Sequence, residues 1–180
     1  DGDVEGVVDL VESADLSRIS GMPLNGVALH FPHGGWVNPA SLCRHLLHDI
    51  DTKTEVKVSG LAYNNEHWVI TDASGATIDT ADVVVLANGL AACDFEQTAW
   101  LSLLARRGQV SRVSETKTTA GLASVIAGKG FILPAIGGQH FFGATFDHVA
   151  DQERHDPHPA PTAAADRYNV SALQAMAPDI

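Results

Sequence analysis

Cysteine is scarce in this 180-residue chain, with two residues in all, Cys43 and Cys93. They lie far apart and neither sits in a metal-type pair, so a disulfide framework and a cysteine-based zinc site are both excluded. The simple reading is a reduced intracellular compartment. Basic residues are also few: 11 Lys+Arg against 22 Asp+Glu give a formal net charge of -11. Such a chain has no cationic surplus with which to displace counterions, so it is not expected to grip a nucleic-acid backbone over a wide area. No apolar run approaches the roughly 18 residues that a membrane span needs. The first residues, Asp1-Gly2-Asp3-Val4-Glu5, include no Met, no basic region and no signal-type apolar core, which reads as an internal segment.

Two chemical fingerprints are missing as well. No G-x-G-x-x-G is present; Gly34-Gly35 and Gly137-Gly138 have neither its spacing nor a following helix start of the right kind. No G-x-S-x-G is present, so a hydrolase elbow is not supported. The nine histidines include the pairs His30/His33, His45/His48 and His155/His158. None has an obvious cluster of further ligands, and solvated surface histidines are the expectation, with no metal site.

What is there is ordinary globular composition, 45% hydrophobic and 18% charged. Residues 13–20 predict a short helix stopped by Gly21. Val27 to Phe31 predicts a strand. Asn38-Pro39 starts a helix, with Asn38 as cap and Pro39 at the first helical position. Leu42, Cys43, Leu46, Leu47 and Ile50 give it one apolar stripe. Residues 55–80 predict a three-stranded meander, beginning with Val56 and Val58 in alternation and turning at Asn64-Asn65 and at Ser74-Gly75. Val83 to Leu86 is continuously apolar, as in a parallel strand covered on both faces, and ends in Ala87-Asn88-Gly89, where backbone can approach a ligand. On its own that turn reads as a plain strand-to-loop connection.

Further on, residues 90–105 predict loop and helix, and Gly108 to Val113 a strand. Residues 130–134 and 141–146 predict a strand pair turned at Gly137-Gly138. Asp147 to Thr162, with Pro157, Pro159 and Pro161, predicts a loop, in which Asp147 is a turn cap or an orienting carboxylate. Ala163 to Ala177 predicts a helix ended before Pro178. Phe31, Trp36, Phe131, Phe141, Phe142 and Phe146 belong to a core or line an apolar pocket.

Several stretches, taken in order, carry a resemblance. They are Leu29-His30-Phe31-Pro32-His33-Gly34-Gly35-Trp36-Val37-Asn38-Pro39-Ala40-Ser41-Leu42, then residues 82–89, then Arg107-Gly108-Gln109-Val110-Ser111. Gly130-Phe131-Ile132-Leu133-Pro134 with Gly143-Ala144-Thr145-Phe146-Asp147 completes the series. Together they resemble the FAD-dependent oxidase domain of the bifunctional bacterial enzymes of tRNA 5-methylaminomethyl-2-thiouridine biosynthesis, in the D-amino-acid oxidase, glycine oxidase and sarcosine oxidase superfamily.

The resemblance implies an α+β fold: a mixed, largely antiparallel substrate-side sheet plus part of an FAD-binding α/β domain, incomplete. The sheet would include 27–31, 107–113, 130–135 and 140–146. Residues 1–37 and 90–162 would form the substrate-side region, 38–89 part of the FAD-binding region with its meander, and 163–180 a C-terminal helix. The implied cofactor is FAD. The implied reaction is oxidative cleavage of the C–N bond of a carboxymethylaminomethyl group on the wobble uridine of tRNA, leaving aminomethyl uridine. S-adenosylmethionine would serve only a separate methyltransferase domain. A cytoplasmic location follows, with tRNA as partner and no membrane.

Residue by residue, Val58 resembles the position whose backbone meets the adenine of FAD, or is an ordinary strand residue. Ala87, Asn88 and Gly89 resemble the turn near the cofactor's phosphate and ribityl region. Phe131 falls where simpler glycine oxidases have a substrate-side Tyr; without the hydroxyl it is left with stacking, pocket shape or core packing. The family's dinucleotide fingerprint and its G-x-R type segment have no counterpart here. The chain by itself is therefore expected to be inactive, with its catalytic residues outside these 180. Oxidation of a free amino acid (glycine or sarcosine type) and a non-catalytic domain are the competing readings.

Overall fold

The computed structural model describes residues 6–149 and 159–178. The chain order is β1 Asp9–Glu12, α1 Ser13–Ser20, β2 Val27–His30, α2 Pro39–Leu46, β3 Gly60–Asn64, β4 His67–Thr71 and β5 Thr77–Ala81. Two short 3-10 helices, Gly89–Asp94 and Glu96–Thr98, come next. Then follow β6 Arg106–Arg107, β7 Val110–Ser114, β8 Ile126–Ala127, β9 Phe131–Ile132, β10 Gln139–Gly143, β11 Asp147–His148 and α3 Ala163–Met176. Among the described residues, 6–39, 107–147 and 159–178 form one compact unit, and 40–106 with 148–149 form a second.

The first unit is built on a four-stranded antiparallel sheet in the order β7-β10-β9-β8. Its central hairpin is a two-residue turn. Ile136 and Gln139 exchange backbone hydrogen bonds, and Gly137 and Gly138 hold φ of 60° and 76°. Positive φ at both central residues matches the right-handed twist of the flanking strands, and glycine adopts it without steric cost. Side chains alternate across each strand, so Ile132 and Phe142, which face each other in the register, share one side of the sheet. That side takes α3: Ile132, Phe142 and Leu173 join Met22 and Leu122 in the buried core, with Ile126 and Met176 at its margin. Full burial of an Ile side chain such as Ile132 contributes about 1.5–3 kcal/mol. The helix comes close because the strands beneath it lack side chains in places. A Cβ on Gly130 would run into the Gly143 carbonyl and approach Ala172.

Helix α3 starts at Ala163, as the sequence predicts, and the structure adds a cap: Thr162 is extended and its side chain accepts from the Ala165 N–H at 3.2 Å. Helix α1 ends in a left-handed Gly21, whose N–H bonds the Ser17 carbonyl at 3.0 Å. Strand β2 pairs with β1 in a separate two-stranded sheet, so 27–31 does not join the larger sheet as expected. The β1 segment that captures it was invisible to the strand patterns.

The second unit carries the meander β3-β4-β5. Its first strand begins at Gly60, so Val56 and Val58 lie ahead of it, not within it. Backbone pairing reaches back only to Ser59, whose N–H donates to the Thr71 carbonyl at 2.8 Å. The first turn is centred on Asn65 and Glu66 (φ 48° and 72°), one residue beyond Asn64-Asn65. In the second, the Asp72 carboxylate accepts from the Ser74 N–H at 2.8 Å and from the Ala76 N–H at 3.1 Å.

Two further expectations fail in this unit. Residues 83–87 are in no strand, and Val83 and Val85 are 75% and 82% exposed. A strand buried on both faces needs neighbours on each side, and none pairs with this one among the described residues. Helix α2 begins at Pro39 but ends at Leu46, and none of its residues is buried; its apolar stripe meets no covering element among the described residues. Pro157, His155 and His158, assigned to a loop, lie outside the described residues.

Candidate functional site

The second unit holds the four cofactor candidates. Val58 sits just ahead of β3, 36% exposed. Gly60, two residues on, is pressed against the Thr71 side chain, where a Cβ would lie 2.6 Å from Oγ1. Ala87, Asn88 and Gly89 are all exposed. Asn88 precedes the 3-10 helix at φ -97°, ψ 24° without using its side chain as a cap. Gly89 holds φ +63°, and nothing lies within 4 Å of where its Cβ would be. A left-handed glycine in open space exposes its main chain to a ligand, and the residues present fit close approach by a cofactor. Behind the turn, the Thr98 hydroxyl donates to the Ala92 carbonyl, and Gln97 Nε2 donates to the Leu61 carbonyl at 2.8 Å. The first bond joins the two 3-10 helices to each other, and the second ties them to the meander.

The first unit holds Phe131. It stands opposite Gly143 in the register, on the side of the sheet away from α3, and is half-buried. Phe141 shares that open side on the neighbouring strand, with Arg112 directly opposite it on β7. Core packing under α3 falls to Ile132 and Phe142, so Phe131 is not part of the buried cluster.

Beneath the sheet lies a polar network that the sequence patterns did not single out. Asp166 accepts from Ser111 Oγ at 2.6 Å and from Gln109 Nε2 at 2.7 Å. These two bonds, the Ser111 one first, hold its carboxyl below the usual carboxylate range. Asn169 is buried and donates to the Gln109 carbonyl at 2.8 Å and to Ser111 Oγ at 3.0 Å. Arg107 donates to Gln109 Oε1 at 2.9 Å and to the Ala160 carbonyl at 2.8 Å. The signal was present in the sequence as polar residues at 109 and 111 of a strand and at 166 and 169 of a helix. These are the spacings that put pairs on one face of each element. Against this network a cleft of about 490 Å³ opens between the β7 edge and α3, lined by Ser111, Arg112, Asp166 and Val170 among others.

The histidines divide. His45 and His48 are exposed, and among the described residues no group of His, Cys, Asp and Glu is placed to hold a metal. His140 departs from the solvated expectation: it is fully buried, with Nδ1 2.9 Å from the Leu133 carbonyl and Nε2 2.9 Å from Thr119 Oγ1. Asp147 is an exposed residue of β11.

Comparison with known proteins decides the family. The model described as FAD dependent oxidoreductase matches residues 3–180. The chain belongs to that family. It is 33% identical over 177 residues to the tRNA 5-methylaminomethyl-2-thiouridine biosynthesis bifunctional protein MnmC of Pseudomonas putida (strain F1), covering 97% of this chain and 26% of the relative. The protein of the same name from Legionella pneumophila (strain Lens) is 34% identical over 176 residues, covering 97% of this chain and 24% of the relative. The chain thus spans about a quarter of the length of these curated relatives. Among solved structures, the iminodiacetate oxidase IdaA of Chelativorans sp. BNC1 superposes with a TM-score of 0.69 at 22% identity, covering 96% of this chain and 47% of that one. That likeness is one of fold.

Proposed function

We propose that this chain is part of an FAD-dependent oxidase that cleaves the C–N bond of a carboxymethylaminomethyl substituent on the wobble uridine of tRNA, leaving aminomethyl uridine. The observation that carries the reading is the likeness to the bifunctional tRNA-modification proteins over 97% of the chain, inside a family of flavin oxidases. The second unit then supplies part of the FAD-binding half and the first unit the substrate side. Main chain at Ala87, Asn88 and Gly89 would hold the phosphate and ribityl part of FAD, and Val58 its adenine. Phe131 presents an aromatic face to the substrate.

Bound FAD supplies the hydride acceptor, and the protein's task is to bind and orient. The Asp166–Ser111–Asn169 network fixes the sheet on α3, so the open face that carries Phe131 is held in place. Methylation of the product amine belongs to a separate domain, and the parent protein works in the cytoplasm. Among the described residues no helix is long and apolar enough to cross a membrane.

The test is the visible spectrum of the purified chain after addition of FAD and removal of the excess, followed by assay of the full-length protein on carboxymethylaminomethyl tRNA. Conversion to aminomethyl uridine supports the reading. A full-length protein that holds flavin but oxidises only glycine or sarcosine would overturn it in favour of a free amino-acid oxidase.

A further inference from the structure

The net charge of -11 conceals a strong segregation. Residues 106–146 hold five basic side chains (Arg106, Arg107, Arg112, Lys117 and Lys129) and a single acid, Glu115, a net of +4; the remainder of the chain carries -15. This basic stretch is the one that forms the four-stranded sheet. Arg107 is committed to Gln109 and Ala160 within the fold. Arg112, Lys117 and Lys129 are exposed, and none makes a side-chain hydrogen bond or ion pair among the described residues.

The register spreads these three cations along the sheet. Arg112 stands in the middle of β7, opposite Phe141 in the register, and also lines the edge cleft that Asp166 borders. Lys117 follows the Ser114 end of that strand. Lys129 lies in the β8–β9 connection at the other end, beside the Phe131–Gly143 pair. A five-residue strand is about 17 Å long, so the cations span the length of several phosphates of a single strand. Between them the open side presents two aromatic rings on adjacent strands. Phe131 pairs with Gly143, two residues from Phe141, which makes the two phenylalanines diagonal neighbours about 7–8 Å apart. Gly143 places no side chain between them.

We propose that the open side of this sheet is a single-stranded RNA contact surface, with Phe131 and Phe141 stacking unpaired bases and Arg112, Lys117 and Lys129 meeting the phosphates. An antiparallel sheet with half-buried aromatics flanked by exposed cations suits this task, because every base has a stackable face while the RNA backbone supplies the charge. The chain's net negative charge opposes a wide grip on a polynucleotide backbone, which suits the reading of one loop of a folded RNA. The inference rests on the tRNA reading above and locates the RNA on the surface that carries Phe131.

The experiment is fluorescence anisotropy of a labelled tRNA anticodon stem-loop titrated with the 180-residue chain over a salt series. The variants are the triple R112Q/K117Q/K129Q and F141L. The wild type is expected to bind with a salt-dependent affinity. The triple variant should bind roughly tenfold or more weakly, with the log–log salt slope reduced by about 2, as for three single-strand phosphate contacts. F141L should weaken binding with its slope unchanged. Absence of wild-type binding, or variants that match the wild type in affinity and slope, would overturn the proposal. Flavin retention and oxidation of the free modified nucleoside are measured separately. In the full-length protein, activity on the nucleoside with indifference to RNA sinks this surface alone; RNA binding through these residues by a full-length protein that takes up no flavin sinks the oxidase reading alone.

Discussion

Asn169 on α3 donates its amide to the main-chain oxygen of Gln109 on the edge of the sheet at 2.8 Å, while its own oxygen has no partner. The same amide donates to Ser111 Oγ, so the helix is held to the sheet by a side chain 1% exposed that spends both its N–H groups. Asn169→Asp removes those donors and places a carboxyl against a carbonyl in the core. It is expected to lower stability by about 1–3 kcal/mol, the cost of stranding buried polar groups, read as a shift in the urea midpoint at unchanged m.

Asp166 predicts a pH dependence with a definite sign. Its folded carboxyl sits below the ordinary value of 3.8. Its contribution is therefore present above that ordinary value and is lost as pH falls through the lower, folded one. Thermal midpoints measured downward from pH 5 should fall for the wild type. Asp166→Asn keeps an acceptor for Ser111 but cannot titrate, so the gap between the two proteins should narrow in the acid range. Asp72 and Asp79 are likewise lowered, by Ser74 and by Lys53 respectively, so both proteins retain an acid limb. Parallel curves for the two proteins would contradict the assignment.

Gly21 and Gly121 touch main chain to main chain. A Cβ on Gly21 would overlap the Gly121 carbonyl, and Gly21 holds φ +76°. Gly21→Ala combines left-handed strain of about 1–2 kcal/mol with that overlap and should destabilise by roughly 2 kcal/mol or more. Gly26, also at positive φ but with open space around it, is the control: its Ala variant should show the strain alone.

Gly89 separates folding from cofactor binding. Its Cβ would meet nothing, so Gly89→Ala should cost only about 1–2 kcal/mol of backbone strain. If the turn lies against FAD, flavin affinity of the full-length protein, followed by fluorescence, should drop about tenfold or more. Unchanged affinity would remove the turn from the cofactor site.

The sequence by itself was sufficient where structure is local. Gly21 as a helix stop, Asn38-Pro39 as a helix start and Gly137-Gly138 as a hairpin turn each act through a few neighbouring backbone groups. The ordered motifs likewise carried the family, since residues 29–42, 82–89, 107–111 and 130–147 kept their order and type.

What the tertiary structure decided was pairing and exposure. Val83 to Leu86 has the composition of a buried strand, but a ladder needs a second chain segment, and composition cannot supply one. Val27 to His30 chose β1 over the larger sheet for the same reason: strand partners are selected by contacts distant in sequence. Whether Phe131 or Phe142 enters the core turned on which side of the sheet α3 covers, a one-residue parity that only the register fixes. The Gln109–Ser111–Asp166–Asn169 network joins residues more than fifty positions apart. Its hydrogen bonds exist only once the helix has docked, so no local pattern could assign them.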